Sequence, residues 1–353
     1  MRSSKLSRRR FLAASAGVGV GGWASAQDQS GSSAQAPAKE QLPSWNNGPA
    51  RTAIVDFVHR VTDKRGPDFV PPGARIAVFD NDGTLWSEQP VYVQLQFALD
   101  RVRALAAQHP EWRETQPFKA VLEGDRAALE AAGMKGVAGI VAATHAGMTP
   151  DEFGKIAAEW LATARHPRFG RLYTEMVYRP MLELVAYLRG NGFKTFIVSG
   201  GGADFMRAFA GEVYGIPPEQ VIGSTIVVRY EAGADGQPVL VREPRLEHVD
   251  DGPGKPVGID RAIGQRPILA FGNSDGDLEM LQYTAAGSGP RFVGLVHHTD
   301  AGREWAYDRE SRVGRLDKVL DEARRRSWTI VDMQRDWRDV FVPATATGTR
   351  ALQ

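Results

Sequence analysis

The sequence predicts an α/β protein, a doubly wound parallel sheet with an α-helical second unit inserted into it. Three observations carry that prediction. Short apolar runs without polar alternation recur at residues 75–79, 193–198, 267–271 and 292–296, the pattern of strands buried on both faces of a parallel sheet. Helical patterns such as 180–189 and 275–283 lie between them, and alternating strands and helices build a doubly wound sheet. After the first run, a stretch of about ninety residues, 90–178, reads as helical and interrupts the alternation.

Ahead of the first strand, residues 1–26 read as an export signal. Ser7-Arg8-Arg9-Arg10-Phe11-Leu12 precedes a small-residue, Gly-rich apolar stretch and then Ala24-Ser25-Ala26, an A-x-A cleavage pattern. The leader resembles a twin-arginine signal, which implies the twin-arginine export machinery as a partner and a periplasmic or secreted destination. Its apolar run is too short to span a bilayer as a helix, so no membrane anchor is expected after cleavage. Residues 27–44, rich in Gln, Ser, Ala and Pro, read as a flexible linker.

The chain has 353 residues, 42% hydrophobic and 24% charged, ample for a sizeable core. Its formal charge of +1 reflects five basic residues of the leader; without them 38 basic face 42 acidic side chains. That balance gives no electrostatic case for nucleic acid. There is no cysteine, which excludes disulfides, thiolate nucleophiles and thiolate metal sites.

The core is expected over 45–89 and 179–353. From Pro49 an amphipathic helix presents Ile54, Phe57, Val58 and Val61, before the Pro71-Pro72-Gly73 breaker and the first strand. In the helical insertion Leu95, Leu99, Val102 and Ala106 recur on one face, and Thr149-Pro150-Asp151-Glu152 is a capping box with proline at the first helical position. Segments 225–230 and 238–242 suggest a hairpin around Gly233 and Gly236. Toward the C-terminus, after His297 and His298, residues 316–325 and 328–332 predict one more helix and an edge strand, with no readable role for Asp332 or Asp336.

Four segments fall where ligands gather, beyond the carboxyl ends of strands. The first is Asp80-Asn81-Asp82-Gly83-Thr84-Leu85-Trp86. Two aspartates at i and i+2 around a glycine turn can present one carboxylate as nucleophile and the other as general acid and base, with a hard cation between them. The second, Ser199-Gly200-Gly201-Gly202, offers a hydroxyl and exposed amides at a helix N-terminus, suited to phosphate. The third is Lys255, at the start of a predicted helix, able to stabilise negative charge as it shifts. The fourth, Gly272-Asn273-Ser274-Asp275-Gly276-Asp277, carries oxygen ligands for an octahedral cation; its carboxylate spacing is too short for an EF-hand.

In this order, the segments resemble the haloacid dehalogenase superfamily over residues 75–296, and the helical insertion after the first motif resembles the phosphoserine phosphatase type. The resemblance implies a Rossmann-like core with a helical cap and Mg2+-dependent hydrolysis of a small phosphate ester. It implies that Asp80 forms an aspartyl-phosphate and that Asp82 protonates the leaving group and then activates water. Lys255 is implied as catalytic, with Thr84, Ser199 and Gly200 holding the phosphoryl group and Asp80, Asp82 and the last motif holding the metal. Where the family has Gly-Asp, this chain has Gly272-Asn273; either Asn273 ligates, or Asp275 or Asp277 moves in, and Asn273 with Asp277 is favoured because the spacing of four is kept. Dehalogenases of the superfamily need no second aspartate, so Asp82 argues for phosphate.

Trp86 and Glu88, just past the nucleophile, are candidates for reading the substrate. Glu88 lies near, not at, the spacing of the glutamate that reads phosphoserine, so that substrate does not follow. Trp160, Arg165, His166, Arg168, Tyr173 and Tyr178 return from the cap, and an aromatic and acidic lining would suit an ammonium by cation–π contact. His145 and His166 read as structural. Two alternatives stay open: a binding protein that keeps the fold but has weak or no turnover, and a phosphotransferase using the same intermediate.

Overall fold

The computed structural model describes residues 41–233 and 236–343; the leader, most of the expected linker and the last residues lie outside them. Strands β1 (Ile76–Phe79), β2 (Lys194–Gly202), β3 (Val221–Ala232), β4 (Pro238–His248), β5 (Leu269–Gly272), β6 (Phe292–Thr299), β7 (Ala306–Tyr307) and β8 (Thr329–Asp332) form one sheet in the order β4-β3-β2-β1-β5-β6-β7, with β8 also on β6. Pairings among β3, β2, β1, β5, β6 and β8 are parallel, while β4 and β7 are antiparallel additions.

All four residues of β1 are buried, and their side chains divide between the two faces. Ala77 and Phe79 join one apolar cluster with Ile197, Leu269 and Phe271, whereas Ile76 and Val78 join another with Val198, Ala270 and Leu295. This is the period of two expected of a strand covered on both sides. Phe79 stacks on Phe271 at 5.8 Å, and each such buried ring contributes about 1.5–3 kcal/mol.

Helices α1 (Pro49–Thr62), α2 (Val93–Leu105), α3 (Phe118–Glu123), α4 (Arg126–His145), α5 (Pro150–Leu161), α6 (Arg179–Gly190), α7 (Ala203–Tyr214), α8 (Gly254–Ile263), α9 (Leu278–Ala285), α10 (Lys318–Arg325) and α11 (Met333–Asp336) complete the described secondary structure, together with short 3-10 turns. Helix α1 buries Ile54, Phe57, Val58 and Val61, as the sequence predicts. Among the described residues no single helix is long and apolar enough to cross a membrane.

Several expectations shift. Residues 41–44, expected as the end of the linker, are packed: Leu42 is buried, and Ser44 donates from its amide and hydroxyl to Glu183. Helix α2 buries Val93, Phe97, Ala98 and Val102, not the face through Leu95 and Leu99. It is clasped on two sides, because Ala98 and Val102 join Trp112, Val121 and Ile140 in a small core of the inserted segment, while Phe97 joins the main core with Phe153, Tyr173 and Phe205. The expected hairpin is longer than its apolar signal, and β3 begins as an interior strand on β2 before leaving with β4. Asp332 and Asp336 are structural: Asp332 caps α11 through the Arg335 amide, and Asp336 accepts from the Asp332 amide.

Candidate active site

The parallel strands β1, β2 and β5 deliver their C-terminal ends to one place. Asp80 follows β1 and is 6% exposed; Lys255, in the first turn of α8, is 2% exposed. The Lys255 Nζ donates to Asp80 Oδ1 at 2.6 Å, to Asp277 Oδ1 at 2.5 Å and to the Val198 carbonyl at 3.0 Å. One ammonium therefore ties together the ends of all three strands. An ammonium buried among acceptors keeps its proton: burial alone would lower its pKa, but Asp277 and Asp80 outweigh that and hold it above the usual value.

The carboxylates respond in the opposite sense. Burial first, and then the charge of Asp277, push Asp80 well above the ordinary aspartate value despite Lys255. Burial also raises Asp82, against the hydrogen bond from Trp86, and burial raises Glu88 well above its ordinary value, with Asp82 and Asp80 adding repulsion. Asp80 and Asp277 contact the Lys255 ammonium directly, and Asp82 and Glu88 lie close enough to interact with the charge of Asp80. A site with this excess of negative charge is built to receive a cation.

The turn after Asp80 is held from several sides. Gly83 has φ +77°, and a Cβ there would collide with Asn273 and Glu88. Its amide donates to the Trp86 carbonyl at 2.8 Å, and Trp86 Nε1 donates to Asp82 Oδ1 at 2.9 Å. Thr84 is fully buried and donates to Asn273 Oδ1 at 3.1 Å; Asn273 Nδ2 donates to Glu88 Oε1 at 2.7 Å.

These contacts place the residues anticipated from sequence. Asp80, Asp82, Lys255 and Asn273 come together. Asp277 is next to them, but both of its oxygens are occupied: Oδ1 by Lys255, and Oδ2 by the amides of Asn273 and Ser274 at 2.9 and 3.0 Å. It anchors the lysine, which differs from the ligand role expected for it. Asp275 turns away to accept the amides of Asp317 and Val319. Thr84 spends its hydroxyl on Asn273, not on an open face.

Trp86, expected to read substrate, is 1% exposed and stacks on Phe209 at 4.5 Å, so it serves Asp82 from behind. Glu88, also 1% exposed, accepts from Asn273 and from the Tyr307 hydroxyl at 2.7 Å. Both are walls of the motif and not a lining. Of the aromatic residues returning from the cap, Tyr178 is buried, while Trp160 and Tyr173 stack and line a cavity of about 400 Å³ with Asp100 and Arg165. That cavity shares no residue with the Asp80 cluster.

Ser199 is buried beside the first motif. Between Ser199 and Gly202 the pairing with β3 slips, so Gly200 and Gly201 bulge out before α7 begins at Ala203. The Gly201 amide donates to Ser199 Oγ at 3.2 Å, and the Gly202 amide donates to Gln94 Oε1 at 2.6 Å. A Cβ on Gly201 would sit 3.5 Å from Ser199 Oγ and 3.7 Å from Asp82 Oδ2, which places the loop against the second aspartate.

Gln94 was not singled out in the sequence, nor were Tyr307, His298 and Glu304. Gln94 had a signal, a carboxamide one turn from the apolar Phe97 and Ala98. The other three come from a segment with no motif, and only the fold brings them to Glu88 and Gly83.

Among the described residues, no group of three or more His, Cys, Asp or Glu side chains stands in ligand geometry. Asp80, Asp82 and Asn273, whose amide oxygen accepts from Thr84, nevertheless supply oxygen donors of the kind that suits a hard divalent cation.

A parallel, doubly wound sheet with an aspartate–lysine–aspartate cluster at its carboxyl edge defines a Rossmann-like core with a candidate site of buried charge. Residues 77–282 match the haloacid dehalogenase-like hydrolases, and the chain belongs to that family. Among solved structures, a conserved protein of unknown function from Anaerococcus prevotii is similar at 16% identity and a TM-score of 0.51, over 80% of this chain and 91% of that one. A protein of unknown function from Bordetella pertussis is similar at 16% identity and 0.48, over 73% and 98%. A probable phosphoserine phosphatase from Vibrio cholerae is similar at 13% identity and 0.39, over 78% and 64%. At such identities the first likeness is one of fold. No curated protein matches the chain.

Proposed function

We propose that the protein is an exported, Mg2+-dependent phosphomonoesterase that works through an aspartyl-phosphate on Asp80. The observation that carries the reading is the contact of Lys255 with Asp80 at 2.6 Å, beside a second carboxylate two residues on. A nucleophile, its charge partner and an acid stand together, and a pure binder needs no such set. The family supplies hydrolysis; the phosphate loop Ser199-Gly200-Gly201-Gly202 at the start of α7 supports phosphate as the group handled.

An Asp80 carboxylate oxygen attacks phosphorus, the bond from phosphorus to the ester oxygen breaks, and Asp82 gives that oxygen its proton. Water then attacks the phosphoryl group, Asp82 takes its proton back, and the bond to Asp80 breaks to release phosphate. Lys255 faces charge that moves off Asp80, so its field acts where the change occurs. Asp80, Asp82 and Asn273 would hold Mg2+, which supplies neutralisation of the phosphate and carboxylate charge. Asp277 keeps Lys255 in place. The helical segment 90–178 acts as the cap that excludes water and selects a small ester, and Gln94 carries it to the phosphate loop.

The twin-arginine pattern and Ala24-Ser25-Ala26 support export to the periplasm or medium. Replacing Arg8, Arg9 and Arg10 by Lys should leave the protein in the cytoplasmic fraction.

The assay is turnover of p-nitrophenyl phosphate by the mature protein, with and without Mg2+, beside Asp80→Asn of equal thermal stability. Mg2+-dependent release lost in the variant supports the reading. A folded, Mg2+-loaded wild type inactive on this ester and on a panel of phosphoamines, nucleotides and sugar phosphates sinks it.

A further inference from the structure

Behind the turn that carries Asp82 lies a buried pair that no catalytic motif contains. His298, near the end of β6, is 2% exposed, and its Nε2 stands 2.8 Å from the carbonyl oxygen of Gly83. A carbonyl only accepts, so Nε2 carries a hydrogen and donates. On the other side, His298 Nδ1 stands 3.1 Å from Oε2 of Glu304, which is 0% exposed. Glu304 also accepts from the Trp305 amide at 2.7 Å and the Tyr178 hydroxyl at 3.1 Å. Those donors fix Glu304, and Glu304 in turn fixes the imidazole through Nδ1 while Nε2 donates to Gly83. The imidazole also stacks on Tyr307 at 4.4 Å, and Tyr307 donates to Glu88.

Gly83 sits between Asp82 and Thr84. Its amide is tied to Trp86, whose indole holds Asp82 Oδ1, and its carbonyl is tied to His298. Without the second tie, the Gly83–Thr84 peptide is held only by the Thr84 amide's bond to the Asn81 carbonyl at 3.2 Å.

We infer that His298, oriented by Glu304, is a positioning residue that sets the aim of Asp82, so that the end of β6 and the turn after it complete the active site. The inference rests on the phosphoesterase reading above. Asp82 matters most where the leaving oxygen is basic: a p-nitrophenolate departs with little help, whereas an alkoxide needs its proton. Mis-aiming Asp82 therefore penalises alkyl esters selectively. A merely structural role for His298 would lower the active fraction and reduce both esters alike.

The test compares kcat/KM for p-nitrophenyl phosphate and an alkyl phosphate in wild type, His298→Phe and His298→Gln, with thermal stability measured for each. In His298→Phe, which keeps a ring and removes both ring nitrogens, the aryl-to-alkyl ratio should rise about tenfold, a fraction of what a general acid contributes. In His298→Gln, which keeps one donor, the ratio should return to within about threefold of wild type. If His298→Phe does not fold, Glu304→Gln is read in its place and should raise the ratio by about threefold. An unchanged ratio in the folded variant overturns the inference while the phosphatase reading stands. Wild-type inactivity toward both esters removes that reading and the inference with it.

Discussion

Gly83 is where the account is most exposed to a single substitution. Its backbone is in the left-handed region at φ +77°, and a methyl group there meets Asn273 and Glu88, which are buried and bonded to each other. Gly83→Ala should cost about 2 kcal/mol or more in stability. Urea unfolding reads that loss, and activity should fall far more than the unfolded fraction explains. A variant of native stability and activity would mean that the turn is looser than described.

His145 carries a different prediction. Burial first, then Arg242 and Arg101, push its pKa from the ordinary 6.5 down to about 3. The fold thus favours the neutral ring, which donates from Nδ1 to Thr144 Oγ1 and packs between Phe97 and Phe153. A depressed folded value contributes stability that is full above 6.5 and is lost as pH falls from there toward 3, roughly 5 kcal/mol at full titration. His145→Phe should flatten the acid limb of stability against pH. An unchanged limb would assign acid unfolding to other groups.

At this scale the sequence was legible at the motifs on the strand ends and less so at the residues that hold them. Asp80, Asp82, Lys255 and Asn273 meet as their spacing suggested. Trp86 and Glu88 looked like substrate readers because they follow the nucleophile, but the chain turns inward after Gly83 and buries both. His298 and Tyr307 reach the turn from more than two hundred residues away, a contact that local pattern does not encode.

Elements were read best where local chemistry decides them. The capping box at α5 forms as written: Glu152 donates its amide to Thr149 Oγ1 at 3.1 Å and accepts the Thr149 amide at 2.8 Å. Thr149→Ala should lower stability by about 1 kcal/mol, measured by thermal or urea unfolding, with kcat unchanged. A loss of activity beyond that would tie α5 to the site more closely than its contacts do.

Other elements depend on what surrounds them. The face of α2 was misread because the helix packs on both sides, so its apolar residues do not form one stripe. Strand β3 looked like half of a small hairpin because its outer part alternates, yet its first residues complete the main sheet. The bulge after Ser199 also depends on context: a run of glycines permits it, but the neighbouring strand sets where pairing resumes.

Across the described residues, the doubly wound topology brings β1, β2 and β5 together beneath the candidate site. Lys255 spans those three strand ends, so one ammonium links them. The alternation of strands and helices and the helical stretch after β1 were legible because buried strands and long helices have distinct periods. The joining of cap and main core through Phe97 was not, since it depends on which side of a helix meets a neighbour.

The most direct test of the whole is to trap the covalent intermediate. The mature protein, mixed with Mg2+ and a phosphate ester and quenched in acid within milliseconds, should gain the mass of one phosphoryl group on the peptide that contains Asp80, and Asp80→Asn should gain none. An actively hydrolysing enzyme that never carries that mass, or that carries it on another residue, would contradict the role assigned to Asp80.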